Sequence, residues 1–439
     1  MGKIIKNIGW LIFDRIFILV LQFFIGVKIA NYYGSSSYGI YSFAVSIVAF
    51  SAIFFEILNS RVIKKYYDEE NYHSVVYNVT FFRNMIAIVL FFFALVVGKF
   101  LNIDRTLYII LVLLCVDNIL TTSTTGIENF FEYKLQARKI VVSNNIVKLV
   151  SYTLQYLGIV MQYSIIAVPV IRCIGSLIRM ALLKYMYIKE YKKDKKGKLD
   201  KNLLHDMMKE SFYLWASYIS FLMYTQLDKI MLGVLLGKEE VGIYTIGVQL
   251  ADIFAIMIVP MQTSLFPKMI NLFKEDYREY IKFYLKSNVL ITQLYILGCF
   301  SSIFVIRIVF PYIFSKDYLP AIMVYSILTL AVLMKANGAL QTGHMTLKEI
   351  TKKSFYKTTA GLGINAILNY ILIKRFGING AAMATAITQV FTIFIIDFFI
   401  KEYREQAVIQ LKSFNSFYLI EILRKNYSEV EKCTKVKRY

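Results

Sequence analysis

The residues whose types and spacing could do chemistry are mostly cations. The segment 172–179 reads RCIGSLIR, and in a helix its two arginines, its glycine and its serine lie on one face. Guanidinium groups bind anions, and phosphate oxygens in particular, through charge and a planar fork of donors. This spacing predicts a cationic stripe on one helix rather than a site for covalent catalysis.

The composition places these cations in a membrane. Hydrophobic residues make up 57% of the 439 residues and charged residues only 18%, which is too apolar for an ordinary soluble protein. With only 5 prolines, most of the apolar length can be continuous helix. We therefore predict an all-α polytopic membrane protein whose partner is the lipid bilayer. The net charge of +21 lies in gaps between apolar runs, so no nucleic-acid partner is expected.

Runs of about 20 apolar residues predict twelve transmembrane helices, six on each side of a Lys-rich segment. The helices are expected at 8–31, 40–59, 78–98, 107–127, 140–161, 164–188, 211–236, 242–266, 283–306, 320–340, 356–374 and 379–400. The first of these has a basic prefix but no following cleavage site, so we expect it to be retained. In the eighth, Pro260 is expected to bend the helix and Pro267 to end it.

An internal repeat supports a division into two halves. Residues 34–45, GSSSYGIYSFAV, match residues 237–248, GKEEVGIYTIGV, with the same glycines, isoleucine, tyrosine and valine in register. Such self-similarity is typical of duplicated transporters. The expected organisation is an N-terminal lobe at 1–188, a cytoplasmic linker at 189–210, a C-terminal lobe at 211–400 and a basic tail at 401–439.

The distribution of positive charge predicts the orientation. Most of the 50 Lys and Arg residues fall on the side of the two termini, which predicts that both termini are cytoplasmic. The tail either lies on the anionic inner leaflet or is solvated.

The sequence lacks the usual patterns of catalytic and metal sites. No Gly-rich stretch has the spacing of a phosphate loop, and the connections on the outer side are short. We therefore expect no catalytic residues, no cofactor and no enzyme activity. The histidines and cysteines are scattered without metal-ligand spacing, so no metal site is expected.

Charged residues at membrane depth are the candidate site residues, since each costs roughly 2.5 to 3.5 kcal/mol on insertion scales unless it faces a cavity or a partner. Candidate anion-binding residues are Arg15, Arg83, Arg172, Arg179 and Lys335, and candidate ion-coupling residues are Asp14, Asp117, Asp228 and Asp252. Two alternatives remain open. Arg179 and Lys335 could extend to the membrane surface, and Asp228 could form a structural pair with Lys229.

Three passages carry a resemblance to a known family. They are YYGSSSYGIYSFAVSI at 32–47, SFYLWASYISFLMYTQLDKIMLGVLLGKEEVGIYTIGVQL at 211–250 and RFGINGAAMATAITQV at 375–390. With these passages in this order, the whole chain resembles the Wzx-type flippases of the multidrug/oligosaccharidyl-lipid/polysaccharide exporter (MOP) superfamily.

The resemblance implies a fold and a function. The fold would be MATE-like, with two six-helix lobes in a V around a cationic cavity that opens alternately to each side. The substrate would be an undecaprenyl-diphosphate-linked oligosaccharide, flipped across a bacterial cytoplasmic (inner) membrane for O-antigen lipopolysaccharide, capsule or exopolysaccharide synthesis, with polysaccharide polymerases or glycosyltransferases as candidate partners. The family has no short catalytic motif to transfer. The chain lacks the thirteenth and fourteenth helices of lipid II flippases, so a peptidoglycan role is not expected.

Two alternative functions are compatible with the same architecture. A multidrug exporter of the same superfamily would bind amphipathic cations, for which an acidic, aromatic cavity is expected instead of intramembrane Arg and Lys. A nontransporting scaffold for polysaccharide enzymes would have no evident need for charge at membrane depth.

Overall fold

A computed structural model describes the backbone of residues 2–101, 103–191, 197–348 and 350–423. Within these ranges, the side chains of residues 2–17, 20, 217, 351–356 and 421–423 are not described. The described chain is helical throughout its ordered elements, as predicted. The helices of its first half are α1 Gly2–Ala49, α2 Ser51–Phe55, α3 Ser60–Ile63, α4 Tyr72–Phe100, α5 Arg105–Thr122, α6 Thr125–Tyr133, α7 Ala137–Val160, α8 Ala167–Tyr191 and α9 Lys201–Leu235.

The second half continues the same pattern. Its helices are α10 Lys238–Ala255, α11 Ile258–Glu275, α12 Tyr277–Ile313, α13 Ala321–Asn337, α14 Gln341–Leu347, α15 Thr351–Val390, α16 Ile396–Phe399, α17 Arg404–Ser413 and α18 Ser416–Leu423. A short π-helical segment, Phe391–Ile395, joins α15 to α16.

Two long helices are each broken by one glycine. Gly34 in α1 has φ 73° and ψ 173°, and Gly377 in α15 has φ 58° and ψ −136°. Side chains with a Cβ rarely adopt these conformations, so glycine makes both kinks possible. Each kink falls at a connection predicted from the sequence, and α1 and α15 therefore contain two predicted helices apiece.

Seven stretches of the described chain are long and apolar enough to cross a membrane. They are Leu21–Tyr66, Tyr72–Phe100, Arg105–Tyr133, Lys238–Glu275, Tyr277–Ile313, Lys316–Leu347 and Lys357–Phe399. Two of them, Leu21–Tyr66 and Lys357–Phe399, each overlap two predicted helices, whereas α7, α8 and α9 coincide with predicted helices outside these stretches. The multi-pass character is confirmed, and the count of twelve remains a prediction.

The chain divides into two compact units, and one boundary between them falls within the second copy of the repeat, at 237–248. One unit consists of Met1–Gly233 with Gly237–Gly242, and the other of Val234–Leu236 with Ile243–Tyr439. The first unit includes α9 up to Gly233, and α10 passes from the first unit into the second.

The described part of the predicted linker is packed within the first unit. Asp200 caps α9 by accepting hydrogen bonds from the backbone N–H groups of Asn202 and Leu203, and its own N–H donates to Asn78 Oδ1 at 2.9 Å. Met207 is fully buried in a core with aromatic residues of α6. Residues 197–210 therefore lie against α4 and α6, and they are not a loose tether.

The described part of the tail contains α17, which is packed inside the second unit. Gln406, Gln410 and Ser413 are each fully buried. Ser413 accepts from Asn337 Nδ2 at 2.7 Å, and Gln293 Nε2 donates to the Ser413 carbonyl at 2.9 Å. Along α17 these contacts with α12 and α13 stand where the sequence suggested lipid or solvent, whereas Phe417 and Ile420 of α18 are exposed.

Candidate functional site

Arg172 and Asp117 form an ion pair between α8 and α5. Arg172 Nε donates to Asp117 Oδ2 at 2.7 Å. The Ser176 hydroxyl, one turn further along α8, donates to the other oxygen, Asp117 Oδ1. Both carboxylate oxygens are thus engaged by the stripe that the sequence predicted on α8.

The two partners of this pair differ sharply in exposure. The Asp117 side chain is 3% exposed and that of Arg172 is 44% exposed. A buried carboxylate needs a charged or hydrogen-bonding partner, so Asp117 fixes one edge of the guanidinium while much of the Arg172 side chain stays open. The result is an oriented cation on a membrane helix.

Arg179, two turns further along α8, is enclosed instead. Its Nε donates to Asn144 Oδ1 at 2.6 Å and its Nη2 lies 2.8 Å from Glu128 Oε2. Thr124 donates to the other Glu128 oxygen at 2.7 Å. The Arg179 side chain is 17% exposed, and its network joins α6, α7 and α8. This arrangement fits a structural role better than extension to the membrane surface.

Of the candidate cations whose side chains the structure describes, Arg83 is the most buried, with a side chain 6% exposed. Its Nη2 donates to the Leu58 carbonyl at 2.6 Å, and Glu56 Oε1 lies 3.7 Å away. Leu58 follows α2, so Arg83 satisfies a carbonyl beyond a helix end that would otherwise be buried without a donor. Arg83 therefore stabilises the fold, and little of its guanidinium is accessible to a ligand.

The remaining candidates are dispersed. Asp228 on α9 is buried and Asp252 on α10 is exposed. Lys335 is half-buried in the last turn of α13, and among the residues with described side chains no carboxylate forms an ion pair with it. The side chains of Asp14 and Arg15 lie outside the described residues.

A second buried ion pair was not among the sequence candidates. Lys357 Nζ donates to Asp397 Oδ1 at 2.6 Å, and the two side chains are 7% and 0% exposed. Gln341 and Gln406 both donate to Asp397 Oδ2. The sequence could have indicated this pair only through Asp397, an acid within the last predicted helix. Its partner Lys357 lies near the start of the preceding predicted helix, where a lysine is expected at the membrane surface.

A metal centre finds no support in the described chain. Within the ranges whose side chains are described, no three His, Cys, Asp or Glu side chains come together to hold an ion.

The helices and their paired intramembrane charges define a multi-pass α-helical membrane protein with a MATE-like fold. The lipid II flippase MurJ in an inward closed conformation matches with a TM-score of 0.71 and 18% identity, over 95% of this chain and 93% of that one. An inward-facing multidrug resistance MATE family transporter of the MOP superfamily matches with a TM-score of 0.63 and 11% identity, over 92% of this chain and 96% of that one. These likenesses establish the fold.

The family is established by sequence. The model of the polysaccharide biosynthesis protein family matches residues 4–273, and the chain belongs to that family. The predicted resemblance to proteins of polysaccharide synthesis is thereby confirmed. An uncharacterized membrane protein of Methanocaldococcus jannaschii is 26% identical over 194 residues, which is 42% of this chain. The match spans 37% of that relative's length.

Proposed function

We propose that the protein is a flippase that moves an undecaprenyl-diphosphate-linked oligosaccharide from the cytoplasmic to the outer leaflet by alternating access. Membership of the polysaccharide biosynthesis family and a fold shared with a lipid II flippase support this class of substrate. The product would serve O-antigen, capsule or exopolysaccharide synthesis.

The observation that carries the proposal is the oriented guanidinium of Arg172. The diphosphate must leave water while the sugars cross and the polyprenyl tail stays in lipid, so the protein must supply a cation at membrane depth. Arg172 remains charged there because Asp117 compensates it, and 44% of its side chain is still exposed. Each charge-assisted hydrogen bond to a phosphate oxygen would contribute about 1.5 to 3 kcal/mol.

Asp117 acts as a positioning residue in this scheme. With Ser176 on one oxygen and Arg172 Nε on the other, the carboxylate holds the fork at a fixed angle. Arg15, Arg83, Arg179 and Lys335 are secondary candidates for the same headgroup, and Arg179 and Arg83 are the most enclosed of those described.

Energy for accumulation would come from an ion gradient or the membrane potential. A charge moved through the potential is worth about 2.3 kcal/mol per 100 mV. Asp228 and Asp252 remain the coupling candidates on the described helices, together with Asp14, while Asp117 is engaged by Arg172. Loss of accumulation when proton and sodium gradients and the potential are collapsed would support this coupling.

A deletion strain tests the function as a whole. The flippase proposal expects loss of surface polysaccharide with accumulation of the lipid-linked oligosaccharide on the inner leaflet, both restored by the wild-type gene. A multidrug exporter would instead leave the polysaccharide intact and sensitise cells to cationic dyes. A scaffold would restore the polysaccharide even when it carries Arg172→Ala.

A further inference from the structure

A groove runs along one face of α4 in the first unit. Its cavity has a volume of about 360 Å³ and is lined, among the described side chains, by Tyr77, Thr80, Phe81, Asn84, Met85 and Ile88. Tyr77, Phe81, Met85 and Ile88 recur every three or four residues and therefore share a helix face. All four side chains are exposed, so the long side of the groove is apolar and open.

The floor of the groove is closed by α5 and α6. Asn84 Nδ2 donates to Ser123 Oγ at 3.0 Å, and Asn84 Oδ1 accepts from Thr122 Oγ1 at 2.8 Å. A Cβ on Gly126 would lie 2.8 Å from Thr80 Oγ1, which shows how closely α6 approaches the floor. The polar lining residues therefore lie against the neighbouring helices, and the apolar ones form the open side.

The open side of the groove has the position and the length of one lipid leaflet. α4 belongs to a stretch that is long and apolar enough to cross a membrane, and the exposed face continues beyond the groove with Phe92 and Val96. Over residues 77–88 a helix rises about 16 Å, and one leaflet is half of a hydrocarbon core about 30 Å thick. A single acyl chain therefore matches the groove.

Positive charge lies at the end of the groove on the predicted cytoplasmic side. Gly197 packs on Tyr77 there, because a Cβ on Gly197 would meet Tyr77 Cβ at 2.5 Å. The next residue, Lys198, is exposed, and its carbonyl accepts from Asn78 Nδ2 at 2.8 Å. In sequence, the segment 192–201 has six lysines and two aspartates. Charge of this sign attracts anionic lipid headgroups.

We infer that this groove binds an anionic phospholipid of the leaflet on the predicted cytoplasmic side. One acyl chain lies along Tyr77, Phe81, Met85 and Ile88, and the phosphate lies at Lys198. The apolar wall and the cation at its end are complementary to the two parts of such a lipid. An undecaprenyl chain is much longer than one leaflet is deep, so the polyprenyl carrier fits the groove less well. The inference does not depend on the proposed flippase function.

Native mass spectrometry of the full chain in detergent measures the binding without any transport assay. The probes are dioleoylphosphatidylglycerol and dioleoylphosphatidylcholine, which share their acyl chains and differ in net charge. The first bound phosphatidylglycerol should bind more tightly by about fivefold, the factor expected for one lysine near a charged lipid surface. Equal affinities would overturn the inference. Displacement of phosphatidylglycerol by an equal concentration of undecaprenyl monophosphate would assign the groove to the polyprenyl carrier and would also overturn it.

Two variants locate the binding. Met85→Trp fills the groove and should remove the tight phosphatidylglycerol site, and Val96→Trp is its control at an exposed position of α4 beyond the groove. Lys198→Glu should abolish the preference for phosphatidylglycerol, and Lys99→Glu is its control at an exposed lysine near the other end of α4. If one site variant fails to fold, the other decides. A preference that survives in the folded site variants would place the lipid elsewhere and contradict the assignment.

Discussion

Ser35 Oγ donates a hydrogen bond of 2.8 Å to Glu239 Oε1, across 204 residues of sequence. The two residues come from the two copies of the internal repeat. The backbones also meet there. A Cβ on Gly39 would overlap the Lys238 carbonyl, and one on Gly242 would lie 3.0 Å from the Gly39 Cα. The glycines that recur in the repeat therefore permit the two turns to touch each other.

Both turns lie in the first unit, and we predict that their contact separates during transport by alternating access. In a background without the native cysteines, Ser35→Cys with Glu239→Cys should be cross-linked by a short, reducible bis-methanethiosulfonate reagent and should stop flipping, and a reductant should restore it. Each single cysteine variant is the control and should flip under both conditions. Undiminished flipping by the cross-linked protein would show that the contact is permanent.

Glycine-to-alanine changes test the close approach itself. Gly39→Ala and Gly242→Ala should each force the turns apart, at a cost of about 1 to 3 kcal/mol from overpacking. Gly363→Ala is a matched control on α15, because an added Cβ meets nothing within 4 Å there. The melting temperature of purified protein should fall for the first two variants and stay near wild type for the third. Equal values for all three would contradict the packing argument.

The orientation predicted from the positive charges can be tested at exposed positions. Lys201 and Asp317 are both exposed, and they fall on opposite sides of the predicted topology. A probe that cannot cross membranes should label Asp317→Cys in intact cells and should label Lys201→Cys only after permeabilisation. The reverse pattern would invert the topology. Gly197 is a poor probe site, because an added Cβ would press on the His73 backbone.

A pH-dependent contribution to stability is expected at Glu405. Burial alone would raise the pKa of Glu405, but hydrogen bonds from Lys348 and Tyr277 outweigh it and the pKa is lowered. The stabilisation is therefore present above the unfolded pKa of about 4.3 and is lost as the pH falls through the lower folded value. The melting-temperature advantage of wild type over Glu405→Gln should be full at about pH 6 and should shrink progressively as the pH falls below the unfolded pKa of about 4.3. An advantage that grows on acidification would contradict the assignment.

The helix breaks at glycine could be predicted from the sequence, whereas the prolines led to a wrong prediction of where a helix ends. Gly34 and Gly377 fall in connections because few other residues adopt their φ values. The expectation that Pro267 ends a helix is wrong, since α11 continues through it. The break comes before Ile258, which puts Pro260 in the first turn of α11, where an N–H has no helical partner anyway.

The partners of the buried polar side chains could not be predicted from the sequence. The stripe on α8 identified Arg172 as a candidate, but its partner Asp117 is on another helix and had been assigned to ion coupling. The tail was expected at the membrane surface or in solvent because basic patches flank its apolar segment SFYLIEIL, which is too short to span. Gln406, Gln410 and Ser413 nevertheless form a buried face of α17. Asn337 on α13 and Gln293 on α12 donate to Gln410 and Ser413, and Gln406 donates to Asp397. Only tertiary structure reveals such complementarity.

The Arg172 fork is proposed to receive the diphosphate, and flipping measured in proteoliposomes tests this role most directly. Wild-type protein should move an undecaprenyl-diphosphate-linked oligosaccharide between leaflets, Arg172→Ala should reduce the rate by at least tenfold, and Arg172→Lys should restore only part because it keeps charge without the fork. Arg105→Ala is the control at an exposed arginine at the start of α5 that is not a candidate for the headgroup, and it should flip at a near-wild-type rate once equal amounts are reconstituted. Full-rate flipping by Arg172→Ala would contradict the account.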